Sequence, residues 1–162
     1  MYEGPPYDPA VHHLVGRLTT PALAVVLLLS GCAREQEQVL AAACRLGPEA
    51  VQGALERAPN AVALAGTRLS ECLGRAGQPA DIQQVGGDYL EVATILAADA
   101  RRDPEGPAAL RLGYLVGAVR RGAASTQGFH SEIVRRIEQE TLPLDTGARA
   151  FRAGERAGRA AG

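Results

Sequence analysis

Apolar positions along this chain recur three and four residues apart, with polar residues filling the gaps. Val62, Ala65, Leu69, Cys72 and Ala76 step 3-4-3-4, and Ile82, Val85, Tyr89, Val92 and Leu96 do the same. A longer seam runs through Leu112, Val116, Val119, Ala123, Thr126, His130, Ile133 and Ile137. Such spacing places one apolar face on an α-helix. The pattern and its punctuation predict helices over 33–46, 48–58 and 60–76, one opening at Pro79, and a long one over 107–140. Gly47-Pro48, Pro59, Gly77, the turn RRDPEG at 101–106 and Leu142-Pro143 separate them, since Gly favours a helix end and Pro a helix start. Asn60 is placed to cap the third helix. Gly86-Gly87 invites a split in the fourth, with Asp88 capping the second piece, and Gly122 and Gly128 predict a kink or break within 122–128. No alternation of strand type has useful length, and no Asn-Gly or Asp-Gly hairpin turn occurs. The expected fold class is all-α, a small antiparallel bundle of four to six helices over 32–142. Residues 143–162, rich in Arg, Ala and Gly with little to bury, read as a flexible tail.

A different pattern occupies 18–31, LTTPALAVVLLLSG, which carries no charge and follows Arg17. Its strongly apolar core, 22–29, is far short of the roughly 20 residues a membrane-spanning helix needs. It has the form of a signal-peptide apolar region. At its end, Leu29-Ser30-Gly31-Cys32 resembles the lipobox of bacterial lipoproteins. The resemblance covers about 14–33 and identifies a processing class rather than a functional family. It implies that residues 1–31 are a signal peptide cut before Cys32, and that Cys32 is lipidated. Two or three acyl chains would then anchor the domain stably. Ala33 rather than Asp follows the cysteine, which in the enterobacterial members of the class implies the outer membrane rather than the inner. The expected address is therefore the bacterial cell envelope, with the domain facing the periplasm. MYEGPPYDPAVHH, with Glu3, Asp8 and three prolines, is a poor start for such a signal. The expected translation start lies later, at Val11 or Val15.

Beyond residue 31 the chain holds 16 Arg and 16 Asp plus Glu. That neutrality argues against a general nucleic-acid binder, which needs a basic excess. There is no Lys, and 30 Ala and 19 Gly fit the coding bias of a GC-rich genome. Only Tyr89, Tyr114, Phe129 and Phe151 are aromatic in this part. The core must be built from small aliphatic side chains, each burying little area at about 25 cal/mol per Å². A covalent staple would help. With Cys32 lipidated and the domain exported to an oxidising compartment, Cys44 and Cys72 are expected to pair, a bond worth about 3–4 kcal/mol in the chain-entropy estimate.

Sites of chemistry are mostly absent. His12 and His13 leave with the signal, so His130 remains and no site needing two histidines can form. In His130-Ser131-Glu132, adjacent helical residues do not face one another, and no GxSxG elbow precedes them. His130 is expected to be buried or interfacial. Asp99 with Asp103, and Glu138 with Glu140, sit among arginines and read as solvated charge. No P-loop, dinucleotide fingerprint, EF-hand or zinc spacing occurs, so no catalytic residue, metal or cofactor is expected. Gly113-x-x-x-Gly117 can mark helix dimerisation in lipid, but Arg111 and Arg120 flank it, so tight packing inside the bundle is expected instead. Arg120/Arg121 and Arg135/Arg136 lie 15 residues apart. On one continuous helix they would form a basic stripe able to grip carboxylate or phosphate, whether on lipopolysaccharide, peptidoglycan or an acidic protein. The alternative is a solvated face paired with Glu132 and Glu138–Glu140. The expected function is a non-enzymatic, lipid-tethered scaffold that binds a partner through a helix groove or these arginines. The alternative is a periplasmic carrier of a small molecule or lipid, with a cavity inside the bundle.

Overall fold

The structure, a computed structural model, describes residues 39–162. The expected signal segment, 1–31, and Cys32 lie outside the described residues. A single 3-10 turn (Ala42–Arg45) leads into α1 (Pro48–Leu55) and a hairpin of two-residue strands, β1 (Ala63–Leu64) and β2 (Thr67–Arg68). Then come α2 (Leu69–Arg75), α3 (Pro79–Ala100), α4 (Pro107–Ala123), α5 (Phe129–Thr141) and α6 (Arg149–Ala161). Among the described residues the protein is thus a small helical bundle with one minimal hairpin.

Helix α4 is the axis of the bundle. Every residue over 112–119 is buried, and α2, α3, α5 and α6 all pack against it. A helix apolar on all sides must be enclosed on all sides. What allows so many neighbours is the absence of side chains. A Cβ added at Gly113 or Gly117 would run into the backbone of Phe151 and Glu155 on α6. Reciprocally, one at Gly154 or Gly158 would strike the carbonyls of Leu110 and Tyr114 on α4. The pairing advances in the same direction on both helices, so α4 and α6 run parallel with their backbones in contact. Gly122 similarly admits the Ser70 carbonyl of α2. The expectation that Gly113-x-x-x-Gly117 serves packing within the bundle is met. Its partner is Gly154-x-x-x-Gly158, whose spacing is identical.

The two buried tyrosines pin the layers around this axis. Tyr89 donates to the Leu69 carbonyl at 2.9 Å, and the Tyr114 hydroxyl accepts from the Val62 N–H at 3.0 Å. Cys44 and Cys72 form the expected disulfide, with their Cα atoms 5.3 Å apart and a sequence separation of 28. Both are buried, so the bond ties the 3-10 turn to α2 within the core.

Several sequence expectations are corrected. The first predicted helix, 33–46, contributes only the 3-10 turn among its described residues. The predicted helix over 60–76 is a hairpin followed by the seven residues of α2. Ala65 and Gly66 have φ of 43° and 90°, the left-handed pair that two-residue hairpin turns require. Gly86-Gly87 does not split α3, which runs unbroken for 22 residues. The break predicted at 122–128 does occur, closed by Gly128 at φ 67°. The largest correction is at 143–162, which is no flexible tail but carries α6. That helix buries Phe151, Gly154 and Gly158. It has no acidic residue in its first turn. Glu105, from the turn between α3 and α4, supplies the missing acceptor by taking the N–H groups of Arg149 and Ala150, each at 3.1 Å.

Filling the α4–α6 contact should be costly. Gly154→Val is expected to lose at least about 2 kcal/mol of stability through overpacking, measured by urea denaturation. Gly53→Ala, at an exposed helical site with nothing within 4 Å of the added carbon, should instead gain roughly 0.5–1 kcal/mol. Replacing Cys44 and Cys72 together by Ala should cost about 2–5 kcal/mol, read from the same curves.

Candidate functional site: a groove between α3 and α5

A groove of about 270 Å³ opens between α3 and α5. Ile82, Gly86, Gly87 and Leu90 contribute one wall, and Phe129 and Ile133 the other. The glycines that were expected to break α3 shape this trough. A Cβ on Gly86 would lie 2.5 Å from Ile133 Cδ1, so its absence lets α5 sit close. Gly87 faces open space and leaves the trough unfilled. Phe129 follows the left-handed Gly128 as the first residue of α5 and remains 69 % exposed. An aromatic ring so exposed on a chain with few aromatics is the most conspicuous apolar group on this face.

Gln83, Glu132 and Arg136 line the groove as polar residues. Glu132 is held by Arg135, through bonds of 2.6 and 2.8 Å, and by Arg136 at 2.8 Å. Hydrogen bonds from Arg135 first, then Arg136, lower its carboxyl to about 2. The groove therefore joins an apolar floor to a fixed, ionised charge cluster. It holds no nucleophile beside a base.

The four arginines expected to bind a partner are distributed otherwise than a single stripe would have them. Because α4 and α5 are separate helices, the pairs do not share one helix. Arg120 bridges to Glu138 on α5 at 2.6 Å and to Glu155 on α6. Arg121 donates to the α6 carbonyls of Arg159, at 3.0 Å, and Ala160. Arg135 and Arg136 both engage Glu132. The structure does bring Arg120 and Arg135 to one place, a shallow hollow of about 220 Å³ between α4 and α5 that Glu138 and Ser131 also line. Each of the four is paired with groups of its own chain, Glu132 and Glu138 as in the alternative reading, but also Glu155 and the α6 carbonyls of Arg159 and Ala160.

His130 is buried, and its Nε2 lies 3.1 Å from the Leu73 carbonyl, to which the Nε2–H tautomer donates. It lines neither the groove nor the hollow. Asp99 accepts from Arg102, and Glu138 from Arg120. Asp88 has one buried carboxylate oxygen without a hydrogen-bond partner, and its carboxyl is raised by desolvation first, then by Glu91 and Glu49. No group of three His, Cys, Asp or Glu side chains among the described residues is arranged to hold a metal ion. No described helix is long and apolar enough to cross a membrane. Sequence reasoning expected a helix groove but did not place it, and it missed Phe129. The available signal was an aromatic residue directly after a glycine, ahead of a helix whose seam began only at His130.

Comparison with known proteins found no matching family model, no matching curated protein and no matching solved structure.

The Glu132 cluster yields a pH prediction. A carboxyl lowered in the folded state from 4.5 to about 2 keeps its arginine pairs through the ordinary carboxylate range. It gives them up as pH falls through the lowered value. A carboxyl-detected NMR titration should find the Glu132 midpoint near 2, and Arg135→Gln with Arg136→Gln should return it toward 4.5.

Proposed function

We propose that this protein is a lipid-anchored helical component of the bacterial cell envelope that acts by holding a partner polypeptide and carries out no catalysis. The address rests on Leu29-Ser30-Gly31-Cys32 and the apolar segment before it. The binding half rests on one observation, the half-open apolar groove between α3 and α5 with Phe129 exposed along it. A trough with an apolar floor and charged residues at its edge suits the apolar face of an amphipathic helix, with the charges orienting its polar flank. The carrier alternative calls for a chamber inside the bundle. The α4–α6 side, where backbones touch, leaves no such space, and the groove opens outward.

A photo-crosslinking residue at Gln83, on the groove, should yield one discrete adduct in intact cells, and the same residue at Arg101, outside it, should not. Phe129→Asp should abolish the Gln83 adduct while leaving the fold intact by circular dichroism. An adduct indifferent to Phe129→Asp would overturn the groove as the binding site. Separately, Cys32→Ala should release the protein from the membrane fraction or leave it unprocessed. Processed, membrane-bound Cys32→Ala protein would overturn the anchor.

A further inference from the structure

The helix that replaced the expected tail has an outer face of one chemical kind. Arg149, Arg152, Arg156 and Arg159 recur at spacings of three, four and three residues, and all four are exposed. On one continuous helix they form a row about 15 Å long, at 1.5 Å per residue. The inner face is locked to α4 through Gly154 and Gly158, so the row is held rigidly outward. Two carboxylates touch the ends of the row: Glu155, drawn inward by Arg120, also reaches Arg159 at 2.7 Å, and Glu105, which caps the start of α6, lies 3.8 Å from Arg149. Arg152 and Arg156 make no hydrogen bond or salt bridge among the described residues; Arg152 has only an electrostatic interaction with Glu105.

We infer that this face of α6 rests against an anionic lipid surface. The choice of occupant follows from what the face lacks as much as from its charge. Protein interfaces are centred on a buried apolar patch, and none of the large exposed apolar side chains among the described residues is on α6. A straight row of guanidinium groups without an apolar anchor matches a plane of phosphates, to which each can bond bidentately. Clustered basic residues near a membrane surface are drawn to an anionic leaflet in this way. The inference deepens the membrane half of the proposed function, and it stands on the α6 geometry rather than on Cys32.

The test is flotation of the full-length protein with phosphatidylcholine vesicles, with and without phosphatidylglycerol. Acyl or apolar anchoring acts on both vesicle types alike, so the readout is the excess affinity for the anionic ones. That excess should collapse at high salt, where surface charge is screened. Arg152→Gln with Arg156→Gln should lower it about 25-fold, at roughly fivefold for each cation near the surface. Changing all four to Gln should remove it. The double variant takes away no hydrogen bond among the described residues, and an unchanged melting curve would confirm that it folds. An excess that survives the quadruple change overturns the inference. So does a wild-type protein that shows no excess, whether or not its arginines bind a DNA duplex or polyglutamate. Failure to bind phosphatidylcholine vesicles would count against the acyl anchor alone.

Discussion

Two helix backbones in direct contact are the constraint from which the rest of this bundle follows. Gly113 and Gly117 on α4 meet Gly154 and Gly158 on α6, with no side chain between them. A protein poor in aromatic residues cannot rely on large side chains to fill the space between helices. It removes the space instead, and gains dispersion contacts along the length of the pair. The approach is tight enough that α6 has essentially one position relative to α4. Gly122 extends the same solution toward α2, and Gly86 toward α5. The abundance of glycine, which looks unfavourable for a helical protein, is used where helices must come closest.

Charge then completes what close packing leaves open. Helix α6 begins with arginine, an unfavourable residue beside the positive end of a helix dipole. Glu105 offsets this from a distant turn, and Arg121 meets the carbonyls at the other end. Arg120 gathers Glu138 and Glu155 from two helices into one cluster. Partly exposed ion pairs contribute little stability each, so their role here is orientation. They settle which way three helices face once burial has brought them together, and they leave the outer row of α6 as the conspicuous cationic surface.

The helical class, the two stripes at 82–96 and 112–119, the break before Phe129 and the pairing of Cys44 with Cys72 were legible because each is a local or arithmetic signal. The hairpin was not, because its turn is Ala65-Gly66 rather than a residue pair with an evident left-handed preference, and its strands are two residues long. Helix α6 was not, because its buried face is mostly glycine and alanine and its cap comes from Glu105, far away in sequence. Hydrophobic periodicity registers buried area, and this helix is held by proximity. The arginine pairs were noticed but misassembled, since a continuous helix was needed to align them. The place of the expected groove was invisible because it arises from two glycines on one helix and a ring on another.

The position of the disulfide has a mechanical meaning. Tension entering the chain ahead of Cys44 passes through the sulfur bridge into Cys72 on α2, within the core. The 28-residue excursion that carries α1 and the hairpin is a closed side loop, bypassed by the pull. A strained leash would therefore load the centre of the domain first, and the side loop would stay slack.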